Sequence, residues 1–580
     1  ANQILHNAFN TKSLWDAAGL GGMTYRGAMW AKNAIVPWKL WSLFHPFHVE
    51  LGMNFGTTGV NAMKLLAAGK IGLGEGLWTG AKSAALLDVP GRMLYLSRKM
   101  QPRSMKAFRG EIPESDWSPV DKAQITNAIE GSFNPEMAIE YRNQHIKAFK
   151  DAIARHSPTA AWQLPFAALE AIWTRPVFEN WIPAMKWDAY QKSAAAQLAS
   201  NPELASNQLG RQVALRRIAK MVDDRFGEMQ YKTLFMDRMV KDIAVASFLS
   251  YGWQLGFARS YIGALPEAVS AFTKSEGNVL SRPSQGGGTL KQRIARGDLD
   301  KTLFLGNYLA GTMLYGGLLT YALTGDAPKD ILDYIYPRSG QTNPDGTEAR
   351  VSTPFYTREF VSIPKHIKEE GLIGGTAVTV SNKLSPVMGL IKGILTNKDF
   401  FNKEISDPDA PIATRMGQQL KYVLGEMEPI ATSAPARAGL TSTKDYVLSG
   451  LGFTPAPKYV TESVAEAKIR QYLKYHRPAV TSYEKAQRGK EMHELYQLRQ
   501  SGDLDAFHEK LSEVRDAYKL TRSDVDRIRK DSAIPSKFRM FKMLSAKEQV
   551  KVLNDMDAAD YEAFKPYAKK AVKRELDRGG

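Results

Sequence analysis

The sequence predicts a mainly α-helical chain: an extended multi-helix assembly with one small β-hairpin and a C-terminal bundle of amphipathic helices. Three observations predict it. Capping-box patterns at Thr481/Glu484, Thr521/Asp524 and Ser545/Glu548 mark helix starts. Pro135, Pro158, Pro165, Pro176, Pro183 and Pro202 divide a long polar-apolar tract into pieces of ordinary helix length. Credible strand signals occur only within residues 337–364.

A chain of 580 residues, 44% hydrophobic and 24% charged, is long enough for two to four packed units. The texture divides it into a basic, aromatic and Gly-rich region (1–110), a helical region (111–280), apolar helices with the hairpin (281–460) and a charged bundle (461–580). The formal net charge is +17. Residues 1–110 alone carry 13 Lys/Arg against 4 Asp/Glu, so anionic partners, nucleic acid or acidic lipid, are expected there. The absence of cysteine excludes disulfides, thiol nucleophiles and zinc-thiolate sites. No basic n-region with an apolar core opens the chain, so a secretory signal is not expected. A start at Ala1 fits removal of an initiator Met or processing of a longer precursor.

Within residues 1–55, Trp15, Trp30, Trp38, Trp41 and Phe44 alternate with Lys12, Arg26, Lys32 and Lys39. Rings with a wet tip beside cations suit a membrane interface, and equally suit packing against another subunit. Next, Ala68, Gly72, Gly76, Gly80 and Ala84 recur every four residues, predicting one small-residue helix face for close helix packing. Lys64, Lys70, Glu75 and Lys82 interrupt that stretch, which fits a helical wall beside water better than a lone membrane span. Arg92, Arg98, Lys99, Arg103, Lys106 and Arg109 then form a basic cluster that is either DNA- or anion-facing or simply a solvated face.

The uncharged run Ile243 to Ala258 carries Gly252 and Gly256 four apart and is short for a span, so it reads as a core helix. Leu303 to Gly325 is uncharged for 23 residues, enough to cross roughly 30 Å of hydrocarbon. Its five glycines and three threonines weaken the hydropathy. Membrane insertion, with Leu314 at the centre of the lipid-facing run, and a buried bundle helix are both open readings. Asn343, Pro344, Asp345 and Gly346 supply the hairpin turn, and the Pro-rich residues 398–460 read as a linker. The last 120 residues hold 26 basic and 20 acidic side chains and read as a soluble bundle.

Catalytic motifs are near misses. His493-Glu494 and His508-Glu509 lack the second His of a zincin helix. Gly80-Ala81-Lys82-Ser83 lacks the spacing and preceding strand of a phosphate loop, and no Gly-x-Ser-x-Gly elbow occurs. His45, His48 and Glu50 are close in sequence, although Pro46 and the neighbouring aromatics suit a turn better than a metal site. No enzyme activity and no cofactor are expected.

The stretches Asp333 to Val361 and Asn382 to Ile405, flanked by Leu86 to Leu96 and Leu451 to Ser463, resemble blocks in the large internal, or polyvalent, virion proteins of tailed phages. The resemblance covers about residues 86–463 and leaves the charged tail unmatched. It implies storage in the virion interior, ejection with the genome and an oligomeric conduit for DNA across the host envelope. The expected partners are copies of the chain, other internal, portal or tail proteins, DNA without sequence preference, and host membrane lipids. The alternative is a portal-proximal core or scaffold protein that never enters a membrane.

Overall fold

A computed structural model of the chain describes residues 54–83, 101–136, 144–226, 251–272, 289–343, 348–355, 403–428, 443–457, 482–556 and 558–573, with single positions and short pieces between 359 and 473. The described residues are 75% helical, so the chain is mainly α, as the sequence predicts. In order they form α1 (Asn54–Ala67), α2 (Leu73–Ser83), α3 (Arg103–Phe108), α4 (Pro119–Glu130), α5 (Gln144–Ala154) and α6 (Thr159–Leu169). There follow a π-helical segment (Glu170–Trp181), α7 (Ile182–Ser200), α8 (Gln208–Arg225), α9 (Tyr251–Phe272), α10 (Leu290–Arg296), α11 (Asp300–Thr324) and α12 (Ile331–Ile335). Beyond these lie β1 (Arg338–Thr342), β2 (Glu348–Ser352), α13 (Ile412–Met427), α14 (Thr443–Gly450) and β3 (Thr454–Pro455). The charged tail folds as α15 (Tyr483–Ser501), α16 (Leu504–Ala517), α17 (Arg522–Ser532), α18 (Ser536–Met543), α19 (Ala546–Asn554) and α20 (Ala558–Phe564).

The largest core lies around α1, α7, α8 and α11, where Val60, Trp187, Tyr190, Ile218, Phe304 and Phe355 are buried together. It draws side chains from both sides of residues 110 and 280. Phe133 stacks on Tyr190 with ring centroids 4.1 Å apart. Two smaller cores belong to the tail: Leu495, Phe507, Leu511 and Ile528 in one, and Phe541, Val552, Phe564 and Val572 in the other. Two of the expected capping boxes are formed, at Thr521/Asp524 and Ser545/Glu548. At the third place Ser482 is the cap residue of α15 and its side chain makes no capping bond.

Local sequence does not stop every helix where its prolines stand. Pro158 and Pro183 sit at helix starts, but Pro165 lies inside α6 and Pro176 inside the π-helical segment, so helix continues from residue 159 to 200. Each internal proline removes a donor and crowds the preceding turn. The wider π winding accommodates the disturbed register.

The expected glycine face of one helix is divided by a turn. Gly69, at φ +67°, ends α1, with the amides of Gly69 and Lys70 reaching back to the carbonyls of Leu66 and Leu65. Gly72 falls between α1 and α2, Gly76 and Gly80 fall within α2, and a Cβ on Gly72 or Gly76 would meet no other helix. Close backbone packing occurs elsewhere. A Cβ on Gly256 would run into the Asp224 carbonyl, and one on Gly316 into the Tyr334 carbonyl; Gly56 and Gly311 similarly accept the rings of Phe304 and Phe55. Gly256 thus lies against the end of α8, and Gly252 lies one turn before it in α9.

The hairpin forms as predicted, with β1 and β2 antiparallel, and its turn residues 344–347 lie outside the described residues. The expected linker supplies a third antiparallel strand, β3, which pairs Val351 with Pro455 and Ser352 with Thr454. Gly256→Ala is expected to destabilise the fold by about 1 to 3 kcal/mol through overpacking, as read by urea unfolding. Gly76→Ala should leave stability unchanged or raise it by up to about 1 kcal/mol through helix propensity.

Candidate functional site

The helices around α1 meet over buried charge. Lys64, in the last turn of α1 and only 1% exposed, reaches Asp300 Oδ2 at 2.8 Å and Gln197 Oε1 at 2.9 Å. Gln197 in turn donates to the carbonyls that end α10, at Ala295 and Arg296, and Arg217 donates to the Arg296 carbonyl at 2.6 Å. Arg225, also buried, lies 4.1 Å over the Phe304 ring and donates to Thr57 Oγ1. Burial lowers the Lys64 pKa, against the opposing pull of Asp300, and brings Arg225 down to about 10. A second buried pair joins Lys186 to Asp223 at 2.8 Å, with the Asn134 carbonyl as a further acceptor. Charges removed from water need this degree of pairing, because an uncompensated one is strongly unfavourable.

Two carboxylates fix α9 to its neighbours. Glu267 Oε2 accepts the amides of Lys301 (2.8 Å) and Thr302 (3.1 Å), so it caps the start of α11, whose own cap residue Leu299 has no side chain able to do so. Burial pushes its carboxyl up to about 7, with the two amides pulling the other way. Eleven residues earlier in the chain than Glu267, Gly256 rests on the backbone of Asp224, and Arg259 holds the Asp224 carboxylate at 3.3 Å. Burial raises the Asp224 pKa as well, against Arg259.

A third cluster ties the hairpin to α11. Asp333, fully buried, accepts Arg338 at 3.0 Å, Arg350 at 2.7 Å and the Lys329 amide at 2.8 Å, while its carbonyl accepts Thr320 Oγ1. Burial opposes the charge, but the Lys329 amide and both guanidiniums outweigh it and keep this carboxyl below the ordinary range.

Of the basic cluster, Arg103 binds Asp121 (3.2 Å) and the Asp116 carbonyl, and Arg109 binds Glu136 (2.7 Å) and Gln101 (2.8 Å). Those two also tie elements of the chain together, Arg103 from a largely exposed position; Lys106 lies between them on α3. Arg92, Arg98 and Lys99, and Trp15, Trp30, Trp38, Trp41 and Phe44, lie outside the described residues, as do His45, His48 and Glu50. Among the described residues no three His, Asp or Glu side chains gather as metal ligands.

Leu303 to Gly325 folds as α11, ended by Gly325 in the left-handed region. Its buried stripe is Asp300, Phe304, Tyr308, Thr312, Gly316 and Thr320, a largely polar or small series at four-residue spacing. Leu314 (52% exposed) and Leu318 (54%) point outward and, with Phe55, Gly311, Tyr315 and Phe355, border an apolar notch. No helix among the described residues is long and apolar enough to cross a membrane. Further apolar side chains stand exposed at Ile262, Leu265 and Val269 of α9 and at Ile412, Met416 and Leu420 of α13, each set on one helix face.

Sequence reasoning missed the junction. It took Lys64 for an interruption, and Asp300 and Glu267 carry no local signal, since their partners lie on other helices. Gly56, Gly59, Gly311 and Gly316 meet a neighbour without a four-residue repeat spanning them.

Comparison of the chain with family models, curated proteins and solved structures finds no match in any of the three.

Lys64→Met leaves Asp300 buried without its cation and is expected to cost about 3 to 5 kcal/mol. Lys64→Met combined with Asp300→Leu should recover most of that loss in the same denaturation measurement, giving a strongly non-additive cycle.

Proposed function

We propose that this chain is a non-enzymatic structural subunit of a tailed-phage virion interior, ejected with the genome and assembled into an oligomeric conduit for DNA across the host envelope. The observation that carries the reading is the exposed apolar edge of α11: Phe304, Tyr308 and the polar and small residues of the helix face the core, while Leu314 and Leu318 face outward beside an apolar notch. Apolar side chains are also exposed on α9 and α13. Exposed apolar surface rimmed by polar residues marks a contact with protein or lipid. The net charge of +17 suits an anionic environment of DNA and acidic headgroups. The resemblance of Asp333 to Val361 supplies the phage context.

A second reading, a portal-proximal core protein that never meets lipid, is favoured by how α11 is held. Its first turn is fastened by Glu267 and by the Lys64–Asp300 pair, and its last third by Thr320 and the Asp333 cluster. In that reading the apolar faces are subunit contacts alone.

Light scattering of the purified chain is expected to report an oligomer, and Leu314→Arg with Leu318→Arg is expected to abolish it while the helical circular dichroism is retained. A chain that stays monomeric at high concentration and binds neither DNA nor vesicles would remove the proposal. Flotation with anionic vesicles separates the two readings. Binding that weakens with salt and with Trp30, Trp38 and Trp41 all changed to Ala supports the conduit, and an oligomer that never floats supports the core protein.

A further inference from the structure

We propose that α11 pairs with the α11 of a second copy of the chain, antiparallel and about a two-fold axis, with Leu314 and Leu318 of each copy seated over Ala310 and Gly306 of the other. This contact rests on the oligomeric reading given above and specifies its partner surface, direction and register. Gly306, Ala310, Leu314, Leu318 and Ala322 recur at four-residue spacing on α11, and all five are exposed. Residues so spaced form one ridge along a helix. Along this ridge two small residues come first and two leucines follow.

Turned end for end, such a ridge complements itself. An antiparallel copy centred at the level of residue 312 brings 306 opposite 318 and 310 opposite 314. Each leucine then meets glycine or alanine, and small residues at a helix contact let the backbones approach closely. A parallel copy in register would set leucine on leucine and leave the two small positions facing each other across a gap. One patch that serves both partners is the isologous kind of contact, which closes on a two-fold axis.

The glycines of α11 differ in what they face. Gly311, Gly316 and Gly317 are filled by the chain itself, since a Cβ there would run into the Phe55 ring, the Tyr334 carbonyl and the Tyr334 ring. At Gly306 a Cβ would meet nothing within 4 Å. Glycine inside a helix weakens it unless a neighbour uses the space, and within one chain nothing uses the space at Gly306. A lipid surface would accept the leucines, but it gives no reason for two vacant seats at leucine spacing.

The ridge also offers little resistance to burial. Residues 303–325 carry no charge, and Leu314 and Leu318 are half exposed in the single chain, so apposing two copies removes apolar surface from water without desolvating an ion. Residues 306–322 span about 25 Å of helix. A helix pair of that length covers on the order of 1,000 Å² in total, the lower edge of what a specific dimer needs, so the pair forms and separates with concentration.

The test exchanges the sizes of two exposed residues in the full chain and follows dimerisation by sedimentation. Ala310→Leu, which sets leucine against leucine, and Leu314→Ala, which sets alanine against alanine, are each expected to weaken the dimer at least several-fold with helical circular dichroism unchanged. Ala310→Leu combined with Leu314→Ala restores leucine over alanine and is expected to regain most of the wild-type affinity. A double variant no better than the worse single one overturns the pairing. Because the chain has no cysteine, single introduced thiols give a second measurement. A short bis-maleimide should link Gly306→Cys to Leu318→Cys several-fold faster than it links Gly306→Cys to itself, whose two thiols lie roughly 18 Å apart along the antiparallel pair. Equal rates, or faster linking of Gly306→Cys to itself, overturn the register. An oligomer without the 306–318 link removes this contact and leaves the oligomeric reading standing, whereas a chain that is monomeric and unlinked removes both. Linking that needs anionic vesicles assigns the ridge to lipid and likewise overturns the pairing.

Discussion

An ammonium group buried in a helical core must find an anion there, and among the described residues Lys64 Nζ finds it 236 positions later in the chain, in Asp300. That pairing constrains the arrangement of four helices at once. α1 brings the lysine, α11 the aspartate, α7 the Gln197 that shares the lysine, and α10 the carbonyls that Gln197 and Arg217 satisfy. A register shift of α11 by one turn would carry Asp300 away and leave two buried charges unmatched. Hydrophobic contacts such as Val60 and Phe304 tolerate small displacements, whereas ion pairs of this burial do not. The junction thus selects one packing from the several that a glycine-rich, gently apolar helix could otherwise adopt.

Selectivity of this kind explains the uneven placement of apolar groups. α11 turns Phe304 and Tyr308 inward together with Asp300, Thr312, Gly316 and Thr320, and in its second half small or hydrogen-bonding residues admit the Tyr334 backbone and the Asp333 cluster. Leu314 and Leu318 are left to the outside. Those two leucines, part of what gives the run its apolar look, are thus little engaged in holding the fold together.

The helical class was legible because its signals are local. Thr521 with Asp524 and Ser545 with Glu548 lie within four residues of each other and form the boxes their spacing announces; the flanks of the Asn343 to Gly346 turn likewise form the hairpin. Local rules also misled. The glycine spacing continued across Gly69, whose left-handed backbone ends α1, and Pro176 stands inside a helix because a wider winding absorbs it. The partners of the basic run, Asp121 for Arg103 and Glu136 for Arg109, lie 18 and 27 residues away and carry no local signal. Lys64 and Glu267 were illegible for a different reason: a buried charge is recognisable only with its partner, and Asp300 and the amides of α11 are close in space but not in sequence. β3 was hidden likewise, since Thr454 and Pro455 read as loop until β2 is placed beside them.

Two residues of β3 close the sheet over a long excursion of chain, from Ser352 to Thr454. The strand is short and lies at an edge, held by the Val351–Pro455 and Ser352–Thr454 positions and by the Ala456 amide on the Arg350 carbonyl. Tension applied from the C-terminal side meets the two tail cores first, then this clasp, and only then the Asp333 cluster and the Lys64–Asp300 junction. A pull on that end is therefore taken up by contacts local to the tail and to two strand residues before it bears on the buried charges of the helical core.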